Sequence, residues 1–179
     1  MLVGSVYLPD VARLMGRGDC MVKDYTPELF PALDVSKCLA HGSATDRGAV
    51  FTRSEVVDFI LDLVGYTTDK PLWQYRILEP SCGNGEFLLA IVGRLLDSLP
   101  DDWFLEHALS ELGSAVMAVE INHDCLSETR KRLELLFHEY GISRQDSSSL
   151  IYEWLVEGDF LLTSFEKGFT HVVGNPPYI

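Results

Sequence analysis

The chain has 179 residues, 47% of them hydrophobic, and its 27 acidic and 14 basic side chains give a formal net charge of −13. This length predicts one domain with its own core, alone or with an extension, and no apolar run approaches the roughly 18 residues of a membrane span, so no membrane partner is expected. The acidic balance argues against strong DNA binding by this chain alone, because phosphate neutralisation supplies much of such affinity.

Metal centres and disulfide frameworks are not supported by the sequence. The four cysteines are far apart and form no Cys-x-x-Cys pair, and the five histidines include no His-x-x-x-His pair. We therefore predict unpaired thiols and no metal site. The N-terminus lacks a basic region ahead of a long apolar stretch, which predicts no secretory signal and a cytoplasmic location.

The distribution of apolar residues, prolines and glycines predicts an N-terminal extension, residues 1–45, and a folded domain, residues 46–179. Within the extension, we predict one short helix around residues 10–15. In the domain, Thr52 and Glu55 have capping-box spacing, which predicts the start of a helix that ends at Gly65. The apolar stripe expected on this helix is Val56, Phe59 or Ile60, Leu63 and Val64.

Strand and helix patterns alternate over the remainder of the chain. Strands are predicted at 76–79, 115–120, 152–156 and 169–173, helices at 86–99, from 101 or 102 to 113, and at 124–140, and a polar loop at 143–149. Such alternation is typical of a parallel sheet in a doubly wound α/β fold.

A glycine-rich loop, Pro80–Gly85, joins the first predicted strand to the next helix. Glycines allow a ligand to approach the backbone closely, and the N–H groups of the helix point at it. The loop lacks the third glycine of a dinucleotide fingerprint and the lysine of a P-loop. Glu79 and Glu86 would repel a pyrophosphate and suit a ligand that carries an ammonium or sulfonium. The alternative is an ordinary strand-to-helix turn.

Two later strand ends also carry carboxylates. Glu120 could accept hydrogen bonds from both hydroxyls of a ribose, as acids at this position do in nucleotide-binding α/β folds. Asp159 could accept from an adenine amino group, with Phe160 packing nearby. The alternatives are a surface acid for Glu120, and for Asp159 a turn residue followed by a core phenylalanine.

The most informative motif is Asn175-Pro176-Pro177-Tyr178, which follows the last predicted strand. The Asn175 side-chain oxygen and the Pro176 carbonyl could accept from both N–H groups of a flat amine, and the prolines fix the direction of that carbonyl. Tyr178 could stack on a base extruded from a duplex. Catalysis would then come from positioning and electrostatics, without a dedicated general base. The alternative is a proline-rich turn.

A short basic run, Arg130-Lys131-Arg132, lies on the predicted helix at 124–140. It predicts a solvated helix face, with a phosphate contact as the less favoured alternative.

These motifs, in this order, resemble the N6-adenine-specific DNA methyltransferases of restriction-modification systems, over residues 46–179. The resemblance implies a Rossmann-like, S-adenosylmethionine-dependent methyltransferase fold with a partial parallel sheet and flanking helices. It implies a catalytic role for Asn175, Pro176, Pro177 and Tyr178. It implies cofactor contacts from Phe51, Thr52, Glu79, Pro80, Cys82, Gly83, Gly85, Glu120, Asp159 and Phe160. The family usually has proline after that threonine, where this chain has Arg53.

The resemblance further implies double-stranded DNA with a flipped adenine as the substrate, and a separate or fused restriction endonuclease as a partner. The family's catalytic domain continues past the tetrapeptide, so the chain is expected to be a fragment that binds cofactor at best. Asn-Pro-Pro-Tyr is also similar to motifs of methyltransferases that act on ribosomal RNA or on a protein glutamine. A small regulatory nucleotide-binding module and an NAD-dependent dehydrogenase are compatible with parts of the pattern, although the missing third glycine disfavours the dehydrogenase.

Overall fold

The fold is a parallel sheet with helices packed against it, in a computed structural model that describes residues 52–103 and 109–175. The four strands are β1 (Ile77–Glu79), β2 (Val116–Glu120), β3 (Leu155–Glu157) and β4 (His171–Val172). Their order across the sheet is β3-β2-β1-β4, and every neighbouring pair is parallel. The predicted α/β class with a parallel sheet is therefore confirmed.

In the described part of the chain, the α-helices with defined bounds lie between or before the strands: α1 (Ser54–Leu63), α2 (Glu86–Asp97), α3 (His123–Glu139) and α4 (Arg144–Trp154). Short 3₁₀ helices occupy Leu72–Gln74, Leu109–Ser114 and Phe160–Leu162. Where a helix is predicted from residue 101 or 102 to Gly113, the structure has a 3₁₀ helix in place of an α-helix at Leu109–Ser114, and residues 104–108 lie outside the described part of the chain. The predicted N-terminal extension and its short helix lie outside it as well.

Each of these four helices contributes buried apolar residues to one large core on a single face of the sheet. This core contains Ile60 of α1, Leu88 of α2, Leu133 of α3 and Trp154 of α4. The opposite face carries a smaller cluster around Leu78, Val119 and Phe169. Within residues 52–103 and 109–175, the helices thus cover only one face, because the chain passes from β3 to β4 without an α-helix.

The polar loop predicted at 143–149 is wrong, because these residues begin α4. Ser143 caps this helix by accepting a hydrogen bond from the Asp146 N–H at 3.2 Å. The serines of this segment favour a loop in the sequence, but the helix buries the apolar residues Leu150, Ile151 and Trp154. The strand predicted at 152–156 is consequently shorter, and β3 begins only at Leu155.

The start and the buried face of α1 also differ from the prediction. Its N-cap residue is Arg53, which makes no side-chain capping bond, so the predicted capping box does not form. The buried residues are Val57, Ile60 and Leu61, whereas Val56, Phe59 and Leu63 of the predicted stripe are exposed. The apolar residues of α1 cover a wide arc opposite its polar residues, and only the part of that arc with Val57, Ile60 and Leu61 packs on the core.

No helix in the described parts of the chain is both long and apolar enough to cross a membrane.

Candidate functional site

The candidate site lies at the carboxyl edge of the sheet, where all four strands end on the same side. The chain runs from β1 to β2 and β3 on one side and then returns to place β4 on the other side of β1. Ligands of open α/β sheets bind outside the carboxyl ends of strands at such a reversal. Four predicted segments meet this edge: the glycine loop after β1, Glu120 in β2, Asp159 after β3 and Asn175 after β4.

The glycine loop has a backbone that only glycine adopts easily at two positions. Gly83 has a φ of 53° and Gly85 a φ of 87°, and α2 begins directly after Gly85. At Gly85 a Cβ atom would lie 2.9 Å from Cγ2 of Thr129, so a side chain has neither the conformation nor the room. At Gly83 a Cβ atom would meet nothing within 4 Å. The loop therefore keeps an open surface at Gly83.

Glu120 holds the glycine loop to the end of β2. The side chain is buried, and its Oε2 accepts from the Gly83 N–H at 2.8 Å while its Oε1 accepts from the Asn122 N–H at 2.8 Å. Asn122 in turn caps α3 by accepting from the Cys125 N–H at 2.9 Å. One carboxylate thus fixes both the loop and the start of the following helix.

Two side chains of α3 complete the support of the loop. The buried Thr129 hydroxyl donates to the Gly83 carbonyl at 2.9 Å, and Arg132 donates to the Asn84 carbonyl and, at 3.0 Å, to the Glu86 carboxylate. The prediction of a solvated face is therefore wrong for Arg132. Nothing in the sequence pairs α3 with this loop, because the contacts span 46 and 48 residues.

Replacing Thr129 with valine is expected to lower the free energy of unfolding by about 1–2 kcal/mol, because the Gly83 carbonyl loses its donor in a partly buried place. Thr129→Ser keeps the hydroxyl and removes one methyl group, so its free energy of unfolding should fall by only about 0.8 kcal/mol. Urea denaturation of both variants measures the difference. A valine variant as stable as the wild type would show that the hydrogen bond contributes nothing.

Glu79 is the most unusual charged group at this edge. Its side chain is 2% exposed, and its Oε2 has no hydrogen-bond partner within the described residues. Burial, and then the neighbouring carboxylates of Glu86 and Glu120, raise the pKa of Glu79 well above its ordinary value. Burial also raises the pKa of the Cys82 thiol. A ligand group with a positive charge would offset the cost of ionising Glu79.

Asp159 and Phe160 lie beside Glu120 at the end of β3. The Gly158 N–H donates to the Glu120 carbonyl at 2.9 Å, which joins the two strand ends. Asp159 caps the following 3₁₀ helix by accepting from the Leu161 N–H at 2.9 Å. The Phe160 ring is half-buried, with its centroid 5.8 Å from that of Phe165. The turn role that the sequence left open for Asp159 is therefore present in the structure.

Asn175 lies on the other side of the glycine loop, next to β1. A Cβ atom on Gly174 would lie 3.4 Å from Pro80, so the end of β4 passes directly against the loop. The Asn175 side-chain amide donates from Nδ2 to the Thr52 hydroxyl at 3.1 Å. The sequence predicted roles for both residues but not this contact. Phe51, Pro176, Pro177 and Tyr178 lie outside the described residues.

Across the described ranges, no group of three or more His, Cys, Asp or Glu side chains is arranged to hold a metal ion. The edge instead combines a glycine loop supported by several hydrogen bonds, a buried carboxyl group, and the Asn175 amide, which is hydrogen-bonded to Thr52. This combination can bind a small ligand with a cationic group and can present hydrogen-bond acceptors to a second molecule beside it.

No protein-family model matches the chain. The chain is 46% identical over 158 residues to the Type II methyltransferase M.PaeR7I of Pseudomonas aeruginosa, which is 88% of this chain and 28% of that protein. It is 43% identical over 135 residues to the Type II methyltransferase M.XhoI of Xanthomonas vasicola, which is 75% of this chain and 25% of that protein. It is 41% identical over 138 residues to the Type II methyltransferase M.BstVI of Geobacillus stearothermophilus, again 25% of that protein.

These identities, over three quarters or more of this chain for the first two, establish it as a homologue of Type II methyltransferases. The predicted resemblance to methyltransferases is confirmed at this level. The chain spans about a quarter of the length of these relatives.

Proposed function

We propose, from this homology to Type II methyltransferases, that the protein transfers a methyl group from S-adenosylmethionine to the N6 amino group of adenine in DNA. Its setting would be a restriction-modification system in the cytoplasm, with an endonuclease, separate or fused, that cuts the same site when it is unmethylated. The observation that carries the proposal is the convergence of the glycine loop, Glu120 and Asn175 at one edge of a parallel sheet.

The cofactor half of the proposal rests on the glycine loop and its carboxylates. Among the described residues, the buried Oε2 of Glu79 has no hydrogen-bond partner, and the ionised carboxylate would attract the ammonium of a methionine moiety and repel a phosphate. Gly83 leaves open space for close approach of a ligand to the backbone. Glu120 would bind the ribose hydroxyls. Its two oxygens already accept from backbone N–H groups, and each carboxylate oxygen has lone pairs for a further donor.

The adenine end of the cofactor would lie toward β3. Asp159 would accept from the cofactor's adenine amino group, and Phe160 would pack nearby. Support comes from the hydrogen bond between the Gly158 N–H and the Glu120 carbonyl, which keeps these residues close to the proposed ribose site. Thr52 and Phe51 would contact the methionine part from the opposite side. S-adenosylmethionine would supply an activated methyl group on a sulfonium.

The substrate half of the proposal rests on Asn175. The amino nitrogen of adenine is a weak nucleophile because its lone pair is delocalised into the ring. The Asn175 Oδ1 and the Pro176 carbonyl would accept from its two N–H groups and favour a tetrahedral nitrogen. This nitrogen would attack the methyl carbon as the bond from that carbon to the sulfonium sulfur breaks, which would leave a neutral thioether, and the methylated nitrogen would lose one proton to water. Tyr178 would stack on the base after its extrusion from the duplex. Positioning and preorganised acceptors would therefore provide most of the rate.

The net charge of −13 is consistent with a protein whose DNA contacts are made elsewhere. Because the chain spans about a quarter of its relatives, the test uses the protein expressed from its complete reading frame. Calorimetric titration with S-adenosylmethionine, and with NAD in parallel, measures the affinity of the protein for each cofactor. Mass spectrometry of nucleosides from duplex DNA incubated with the protein measures the product.

Binding of S-adenosylmethionine alone and formation of N6-methyladenine are expected. Methylation of a DNA cytosine would contradict the proposed acceptor. Methylation of ribosomal RNA or of a protein glutamine, with DNA unmodified, would favour the other methyltransferases that carry Asn-Pro-Pro-Tyr. Binding of NAD but not S-adenosylmethionine would contradict the cofactor.

A further inference from the structure

The basic run Arg130-Lys131-Arg132 lies in two different environments on α3. Arg130 is exposed, and the exposed Lys131 forms a surface pair with Glu128 at 3.4 Å. Arg132 faces the glycine loop instead, with 35% of its side chain exposed. It follows Thr129 by three residues, which places both side chains on the same side of the helix. The structure therefore separates Arg132 from the two solvated members of the run.

One nitrogen of Arg132 joins two groups at the start of α2. Its Nη1 donates to the Asn84 carbonyl and, at 3.0 Å, to the carboxylate of Glu86, the first residue of that helix. A guanidinium has donors and no acceptor, so the loop can present only a carbonyl at this contact. Arg132 thus excludes a flipped peptide between Asn84 and Gly85, which would place an N–H group against the guanidinium.

The direction of this peptide determines the turn of the glycine loop. A trans peptide directs its C=O and N–H groups to opposite sides. With the Asn84 carbonyl toward α3, the Gly85 N–H points the other way and donates to the Cys82 carbonyl at 2.8 Å. The Gly83 N–H, in the same peptide as that carbonyl, donates to Glu120 at 2.8 Å. A chain of hydrogen bonds therefore runs from α3 through the loop to the carboxylate of the proposed ribose site.

Glu86, the second group that Arg132 contacts, adds negative charge beside the same site. Burial raises the pKa of Glu79, and the charge of the nearby Glu86 raises it further. Arg132 brings an opposite charge to within 3.0 Å of Glu86. This pair offsets the repulsion between the two carboxylates, so ionisation of Glu79 costs less when a cationic ligand binds.

We propose that Arg132 is a positioning residue for the cofactor, which fixes the binding conformation of the glycine loop and pairs with Glu86 but does not contact the ligand. This inference rests on the proposed function. It predicts that loss of Arg132 raises the Kd for S-adenosylmethionine and leaves the methyl-transfer rate at saturating cofactor unchanged. A phosphate contact would instead affect the affinity for DNA, and a role in stability alone would lower the fraction of protein that binds.

The test compares Arg132→Met, which keeps a long apolar stem and removes the donors, with Arg132→Lys, which keeps three donors on one nitrogen. Both are made in the protein expressed from its complete reading frame. Calorimetric titration with S-adenosylmethionine gives the Kd and the number of sites, and single-turnover methylation of duplex DNA gives the rate.

We expect Arg132→Met to raise the Kd about 10–100-fold, the range for loss of a hydrogen bond to a charged group. The number of sites and the rate at saturating cofactor should be nearly unchanged. Arg132→Lys should bind S-adenosylmethionine more tightly than Arg132→Met, because its ammonium can donate to both the carbonyl and the carboxylate. If Arg132→Met does not fold, Arg132→Gln, whose shorter side chain carries no charge, replaces it with the same expected rise in Kd.

Lys131→Met is the matched control, because it removes the same charge from the neighbouring position of α3. It should leave the cofactor Kd unchanged, and an equal rise in Kd for both methionine variants would overturn the inference. Fewer sites with an unchanged Kd in Arg132→Met would show a role in stability alone and also overturn it, as would weaker DNA binding with an unchanged cofactor Kd. A wild-type protein that does not bind S-adenosylmethionine would instead overturn the proposed function, and the inference with it.

Discussion

Asn175→Ala is expected to lower the methyl-transfer rate about 10²–10³-fold, the usual cost of removing one preorganised hydrogen-bond partner from a reacting group. The affinity for S-adenosylmethionine should be nearly unchanged, because the glycine loop after β1 and Glu120 in β2 would hold the cofactor. Single-turnover methylation of duplex DNA and calorimetric titration measure the two quantities.

Asn175→Asp is the matched control for this experiment. It keeps an acceptor oxygen at the same position, replaces the NH₂ group that binds Thr52 with a second oxygen, and adds a negative charge. It should therefore retain more activity than the alanine variant, with a hydrogen bond from the Thr52 hydroxyl in place of the original one. A wild-type rate in Asn175→Ala would refute the role of this amide in catalysis.

Glu120→Ala is expected to affect both the stability of the protein and its affinity for cofactor. The Gly83 and Asn122 N–H groups would lose their acceptor, and each unsatisfied buried donor costs about 1–3 kcal/mol. The loop would also lose its anchor to β2, so S-adenosylmethionine should bind about 10–100-fold more weakly, which corresponds to about 1.4–2.8 kcal/mol and lies in the range of a lost buried hydrogen bond. Urea denaturation and calorimetry measure the two effects.

Glu157 offers a control for this variant within the same sheet. It lies directly opposite Glu120 in the register of β2 and β3, but its side chain is about half exposed and forms a surface pair with the exposed His123. Glu157→Ala should therefore change stability by less than about 1 kcal/mol. If the two variants lost equal stability, the special role of Glu120 would be refuted.

The parts of the site that could be predicted from the sequence are those defined by local chemistry. A glycine-rich turn between an apolar strand and an amphipathic helix has few structural solutions, and the structure has this turn at Pro80–Gly85. Acids at strand ends, such as Glu120 and Asp159, can also be recognised in the sequence, because parallel strands all end at one edge of the sheet and bring these acids to the same place.

The parts that could not be predicted depend on contacts between distant segments. Thr129 and Arg132 support the loop from α3, and their sequence surroundings are those of an ordinary polar helix face. The helix α4 is concealed by serines that favour loops when considered residue by residue, although Ser143 is a helix cap. The buried face of α1 depends on its contacts with α2. Arg94 of α2 pairs with Asp58 and Asp62 of α1, and these ion pairs between two helices cannot be read from the sequence of α1 alone.

The order of the strands has a consequence for how the protein folds. Contacts that build the glycine loop close over 37 to 48 residues, whereas Arg76 and Thr170, which join β1 to β4, are 94 residues apart, and Thr52 and Asn175 are 123 apart. Longer separations cost more entropy to close before any contact forms. During refolding, and as the chain leaves the ribosome, we therefore expect the loop to become ordered first. The edge that carries Asn175 would be completed last, on a preformed surface.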